Sequence, residues 1–425
     1  MKNYYSISEV AEMLSVSKQT LRRWDESGKL KSHRMPNKYR AYSPESLSAY
    51  IDVDEAHSVR ETAEDYNTAI KPFSVLELFA GAGGLALGLE KAGLSCKLLN
   101  EIDPWACKTL RKNRPEWNVV EGDVSKESFA HYKGKIDIVT GGFPCQAFSY
   151  AGKKRGLDDA RGTLFYEFAR TVKEVKPVIC VGENVRGLVS HDQGKTLQSM
   201  IQILEELGYD VLTPKVLKAA FYKVPQKRER LILIGIKKGT GITFNYPKPE
   251  NKMMNLSAAL KAGVLFKTDV AESMGQKYPP RKKQIMKMIP PGGYWRDLPK
   301  KIQKEYMLKS YYLGGGKTGM ARRISWDEPC LTLTTSPAQK QTERCHPDET
   351  RPFQIREYAR IQTFPDDWVF EGSMNQAYKQ IGNAVPVNLA YALGKEIVKS
   401  LNAYIVAEEL RKKFKKTSKS KKKAA

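Results

Sequence analysis

The chain has 425 residues, enough for two or three domains with sizeable cores, and carries 71 Lys and Arg against 47 Asp and Glu, a formal charge of +24. That excess points to a polyanionic partner such as nucleic acid rather than to a membrane or an acidic protein. No apolar run approaches the roughly eighteen residues that a membrane helix needs. The N-terminus also lacks the basic-then-apolar pattern of a secretory signal, so a cytoplasmic protein is expected. The 6 cysteines form no Cys-x-x-Cys pair, and Cys345-His346 stands alone, which argues for a reducing compartment with neither disulfide nor structural metal.

Taken in order, Ser6-Ile7-Ser8-Glu9 has capping-box spacing, and Val10, Met13 and Leu14 recur at helical period up to a Ser15-Val16-Ser17 break. Ser17 then caps a second helix with Leu21 and Trp24 on one face, Lys18, Gln19, Thr20, Arg22 and Arg23 on the others, and Gly28 at its end. The basic, aromatic stretch from Arg34 to Tyr42, with Pro36 and Asn37 near its turn, reads as a wing, and Ser43-Pro44 opens a helix through Leu47 and Ile51. This head, residues 1–51, resembles the winged helix-turn-helix of MerR-type regulators. The resemblance implies that the second helix enters the major groove, which makes Arg22 and Arg23 DNA-binding residues. A protein-interaction module with solvated charges is the alternative. Residues 52–71 turn acidic and polar and read as a linker.

Phe73-Ser74-Val75-Leu76-Glu77-Leu78-Phe79 is a strand pattern running into Ala80-Gly81-Ala82-Gly83-Gly84, after which Leu85, Leu87 and Leu89 begin a helix. Strand, glycine turn and helix make a nucleotide-binding unit, in which glycines admit close approach of a ligand and the helix N-terminus offers unpaired N–H groups. About twenty residues on, Glu101 at the end of Leu98-Leu99-Asn100 is placed to accept from both ribose hydroxyls of an adenosine cofactor. Asp123, in Glu121-Gly122-Asp123-Val124, is placed to take the adenine amino group. Gly81-x-Gly83-x-x-Ala86 equally satisfies a dinucleotide fingerprint, so an NAD enzyme remains open at this point.

Ile136-Asp137-Ile138-Val139 reads as a short buried strand, and Gly141-Gly142-Phe143-Pro144-Cys145-Gln146-Ala147-Phe148-Ser149 follows it. Cys145 therefore leaves at a strand-to-loop exit, where doubly wound α/β proteins present reactive groups. Pro144 fixes its own φ and pushes Phe143 towards extended geometry. For a lone cysteine the plain alternative is a small buried hydrophobe. The basic stretch Lys153-Lys154-Arg155-Gly156 through Arg161-Gly162 looks like a mobile lid. Val178-Ile179-Cys180-Val181 is another buried strand, and Gly182-Glu183-Asn184-Val185 leaves it with a carboxylate at the same sheet edge as Cys145. Phe221 to Arg230 leads into the apolar Leu231-Ile232-Leu233-Ile234-Gly235, and alternation puts Arg228 and Arg230 on one face.

From 237 to 350 the strand-and-helix alternation stops, and stretches such as Pro290-Pro291-Gly292-Gly293-Tyr294-Trp295 dominate a separate, loop-rich domain. Residues 351–405 return to the core, with Gln380-Ile381-Gly382-Asn383-Ala384-Val385-Pro386 opening an apolar helix. Residues 406–425, dense in lysine, read as a disordered basic tail.

In this order, over about residues 73–400, the segments resemble the cytosine-5 DNA methyltransferases. The fold so implied is α/β, with a doubly wound, Rossmann-like S-adenosylmethionine-dependent methyltransferase core at 72–236, a loop-rich target-recognition domain at 237–350 and the small winged helix-turn-helix head. The resemblance implies that Phe79, Gly81, Gly83, Glu101, Ile102, Asp123, Pro144, Asn383 and Val385 bind S-adenosylmethionine. Cytosine C5 is too weak a nucleophile to take a methyl group unaided, and the resemblance makes Cys145 the thiolate that adds to C6. Glu183 would then share a proton with N3, and Arg230 would sit at O2 with Arg228 in support. Ser149, Lys153, Lys154, Arg155 and Arg161 would hold phosphates beside a cytosine swung out of duplex DNA. The implied protein is a nucleoid-associated bacterial modification enzyme of a restriction-modification system, a monomer on DNA or a dimer through its head. Two alternatives stand beside it: a cofactor-responsive transcription regulator with an inactive core, and an RNA cytosine-5 methyltransferase.

Overall fold

A computed structural model describes residues 4–13, 18–35, 39–48, 68–144 and 162–423. It forms two compact units, one of Met1–Lys71, Gly239–Asn245 and Glu396–Ala425, the other of Pro72–Lys238 and Tyr246–Lys395.

The first unit holds β1 (Tyr5–Ser6), α1 (Ile7–Met13), α2 (Lys18–Glu26), β2 (His33–Arg34), β3 (Arg40–Tyr42) and α3 (Pro44–Ser48). The capping box forms: Glu9 N–H donates to Ser6 Oγ, and Glu9 Oε2 accepts from Ser6 N–H at 2.7 Å. Val10, Leu21, Leu30, Tyr42 and Leu47 close a small core, so the apolar spacing of both helices is explained by one cluster. β2 and β3 are the antiparallel arms of the expected wing. Asp25 at the end of α2 accepts from Arg40 Nε at 2.7 Å and from Ser32 N–H, which ties wing to helix and commits Arg40 to the fold. Arg22 and Arg23 stay exposed on α2. Ser17, Pro36, Asn37 and Ile51 lie outside the described residues, as does the linker up to residue 67.

The second unit is built on one sheet. Its elements are β4 (Ser74–Leu78), α4 (Gly84–Lys91), β5 (Ser95–Glu101), α5 (Pro104–Asn113), β6 (Val119–Glu121), β7 (Ile138–Gly141), α6 (Leu164–Val175), β8 (Ile179–Val185), α7 (Lys195–Glu206), β9 (Tyr209–Val211), β10 (Lys215–Lys218), β11 (Gln226–Lys227) and β12 (Glu229–Lys237). The strand order is β10-β12-β8-β7-β4-β5-β6, with β9 also on β12. β4 to β8 are parallel, and β12 runs antiparallel against β8. The order reverses between β4 and β7, the switch point beyond whose strand ends doubly wound sheets bind ligands. β4 is buried along its whole length, as a central parallel strand covered on both faces must be.

Beyond β12 come α8 (Ser257–Leu260), α9 (Pro280–Lys287), α10 (Lys300–Met307) and β13 (Cys330–Leu331), which pairs with β11. This loop-rich stretch has its own apolar cluster, including Tyr278, Met286, Trp295, Tyr306 and Met320. α11 (Ile355–Ile361), α12 (Met374–Asn383) and α13 (Val387–Lys423) complete the chain. The helical backbone of α13 runs on to Lys423. Lys and Arg propagate a helix well, and this segment extends one already nucleated against the core, so the unfavourable first turn is not required again. Within the first unit the buried Asn402 clasps the end of the linker: its Oδ1 accepts from Ile70 N–H at 3.1 Å and its Nδ2 donates to Thr68 O at 3.0 Å. No helix among the described residues is long and apolar enough to cross a membrane.

Candidate active site

A single cleft of about 870 Å³ opens at the carboxyl ends of β4, β5, β6, β7 and β8. It is lined by Phe79, Gly81, Glu101, Ile102, Asp123, Pro144, Glu183, Arg228, Arg230, Asn383 and Val385, residues drawn from seven separate stretches of sequence. Cys145, Ser149, Lys153, Lys154, Arg155 and Arg161 lie outside the described residues; the chain is described up to Pro144, at the cleft wall.

The glycine turn positions one end. Phe79 has φ 58, a left-handed conformation costly for a side chain bearing a ring, and Gly81 and Gly83 are left-handed too. Gly83 does not line the cleft, and a Cβ there would come within 2.7 Å of Leu110, so a glycine at this point admits close helix packing. Gly84 is needed for a related reason, because a Cβ on it would overlap the carbonyl of Val385. The return segment Asn383–Val385 therefore docks directly on the glycine turn.

Glu101 is buried, and its carboxylate accepts from Gly81 N–H at 2.7 Å, Ile102 N–H at 2.9 Å and Asp103 N–H at 2.8 Å. Three amides fill most of the roughly four acceptor positions of a carboxylate. Ile102 is 67% exposed and presents an apolar side chain to the cleft. The carboxylate of Asp123 is held by Ser125, whose N–H and hydroxyl both donate to it, and these bonds keep it below the ordinary carboxyl range. Glu77, within β4, also lines the cleft. Burial pushes its carboxyl up to about 8, the nearby Glu101 and Glu183 adding to the effect. Its Oε2 is buried without a hydrogen-bond partner among the described residues. The available signal was a lone acid in the middle of an apolar strand.

At the other end stands an ion pair: Arg230 Nε lies 2.6 Å from Glu183 Oε1, both side chains being 11% exposed. The register explains it, because Arg230 faces Val185 and Ile232 faces Glu183, making Arg230 and Glu183 diagonal neighbours on one face. Burial pushes the Glu183 carboxyl up, with Arg230 and Arg228 pulling the other way. Arg228 is buried at 2% exposure and donates to Leu333 O at 3.2 Å and Asn383 O at 3.4 Å. It thus braces the arginine strand against the return segment. A second brace is Gln226, whose amide donates to Gln362 Oε1 while Gln362 donates onward to the carbonyls of Ile381 and Ala384. The arrangement sets a buried acid and a guanidinium beside a cleft whose far end carries the carboxylates Glu101 and Asp123.

The chain belongs to the C-5 cytosine-specific DNA methylases, whose family profile matches residues 73–399. Residues 6–42 match the MerR family regulatory proteins. The Type II methyltransferase M.Eco47II of Escherichia coli is 62% identical over 407 residues, 95% of this chain and 97% of that one. M.PspPI of Psychrobacter sp. (strain TA137), also a Type II methyltransferase, is 56% identical over 94% of this chain and 97% of its own. Among solved structures, a DNA modification methyltransferase encoded within an E. coli prophage superposes with a TM-score of 0.55 at 25% identity, over 78% of this chain and 99% of that one.

Proposed function

We propose that this methylase swings a cytosine out of duplex DNA, takes its methyl group from S-adenosylmethionine, and protects host DNA as the modification half of a restriction-modification system. The observation that carries the reading is the one cleft that joins the Glu183–Arg230 pair and the Phe143-Pro144 turn to Glu101, Asp123 and the return segment. The donor set fits the cofactor: Glu101 and Asp123 offer acceptors to hydroxyl and amino groups, and Ile102 an apolar face. When bound, S-adenosylmethionine supplies an electrophilic methyl on sulfur.

The chain's own residues do the rest. The Cys145 thiolate adds to C6, which would leave negative charge on the ring. Glu183, raised by burial, shares its proton with N3, and the Arg230 guanidinium donates to O2, so the charge is neutralised as it forms. Ser149 and the cations Lys153, Lys154, Arg155 and Arg161 hold phosphates around the extruded base, with residues 237–350 reading the flanking sequence. The restriction-modification role is supported by the names of the relatives, and the cytoplasmic, nucleoid-associated location follows from a DNA substrate.

The match of the head to MerR regulators favours a second, separable role for it, as a repressor of the protein's own promoter through Arg22 and Arg23. The test of the main reading is Cys145→Ala. The variant is expected to keep cofactor and duplex binding and lose transfer of labelled methyl to duplex DNA, and wild type should be trapped covalently by duplex containing 5-fluorocytosine. Turnover by the Ala variant, or transfer to RNA and not to DNA, would overturn it.

A further inference from the structure

We propose that Asn184 is a positioning residue that sets the nucleophile's turn against the acid, and that its amide N–H is the group that does so. The inference rests on the reading of Cys145 as the nucleophile.

β7 and β8 run in parallel register as far as Gly141 opposite Gly182, and there their ladder ends. One residue beyond each partner the chains part, and the Phe143 carbonyl has left the sheet. Pro144 aggravates this, because it has no N–H of its own to give to a turn and its ring keeps Phe143 out of the helical region. The Asn184 side chain supplies the donor: Nδ2 gives a hydrogen bond of 2.8 Å to Phe143 O, and Oδ1 accepts from Val185 N–H at 2.8 Å. Asn184 is 5% exposed and both its polar atoms are used, so its rotamer is locked from two sides. The Phe143 ring is held independently by Phe165 and Phe168, at centroid distances of 5.3 and 5.5 Å.

The neighbour of Asn184 along the strand is Glu183. Its Oε2 lies so close to Gly142 that a Cβ added there would come within 3.0 Å of it. A single dipeptide therefore presents the acid with one side chain and, with the other, fixes the carbonyl two residues before Cys145. Any rotation of the Phe143-Pro144 turn would shift the thiol relative to the carboxyl, and misplacement by about 1 Å can cost roughly a hundredfold in rate.

The experiment compares wild type, Asn184→Asp and Asn184→Ala in full-length protein. The readouts are the single-turnover rate of covalent capture by 5-fluorocytosine duplex, cofactor affinity by calorimetry, duplex affinity and melting temperature. Asp keeps shape and acceptor but loses the donor. Both variants are expected to capture roughly a hundredfold more slowly with cofactor and duplex affinity within twofold of wild type. A protonated Asp regains an O–H donor, so the Asp variant should recover relative to wild type as pH falls, while Ala stays flat. Capture by Asn184→Asp at the wild-type rate at every pH, or losses matched by lost cofactor affinity and melting temperature in both variants, would overturn the proposal while wild-type capture upholds the nucleophile. Failure of wild type itself to be captured would overturn the Cys145 reading and this proposal with it.

Discussion

The buried acid in β4 makes the stability of this protein depend on pH in a definite direction. Burial moves the Glu77 carboxyl from 4.5 to about 8. Below 4.5 the group is protonated in folded and unfolded chains alike. Between those values the folded chain holds a proton that the unfolded chain has released, so the stability it contributes is full below 4.5 and is lost as pH rises through about 8. Each pH unit within the window costs about 1.4 kcal/mol, for a total of at most roughly 5 kcal/mol. Glu77→Gln places a neutral side chain of nearly the same shape there and removes the dependence. Between about pH 6 and pH 8 wild type should lose about 3 kcal/mol relative to the variant, roughly 5 °C in melting temperature. Scanning calorimetry of both proteins across that range, without added cofactor, measures it. Parallel pH profiles for the two would show that Glu77 is not held neutral by burial and would refute the reasoning.

Glu101→Ala should weaken cofactor binding by roughly 1–3 kcal/mol through lost hydrogen bonds, with little effect on duplex affinity; unchanged affinity by calorimetry would move the ribose site elsewhere. Deleting residues 1–60 should preserve sequence-specific methylation while removing binding to an operator, and Arg22→Ala with Arg23→Ala should flatten the salt dependence of operator binding by roughly one unit of slope per lost phosphate contact. A promoter footprint that survives the deletion would count against the separable head.

What the sequence could disclose was what lies close along the chain. The glycine turn after β4, the acid ending β5 and the Glu183 dipeptide each sit where a strand pattern stops, and periodicity marks such stops. Glu77 was hidden by that same rule, since a residue inside a strand pattern reads as part of the strand. The braces were hidden by distance: Gln226 meets Gln362 across 136 positions and Lys379 meets Asp103 across 276, with an Nζ to Oδ2 separation of 2.7 Å. No local pattern encodes such pairs. A glycine that admits a ligand and one that admits a helix look alike in sequence, so the packing of Leu110 on Gly83 could not be read there.

The clasp of Asn402 on Thr68 and Ile70 has a topological consequence. The methylase profile spans 73–399, so its two extremities each lie within a few positions of residues joined by one carboxamide. A chain whose ends nearly meet can be reopened in a surface loop and rejoined at the clasp, leaving the same packed elements in a rotated order. A methylase of this architecture joined across the clasp and reopened in an exposed loop away from the cleft is expected to assemble the same cleft.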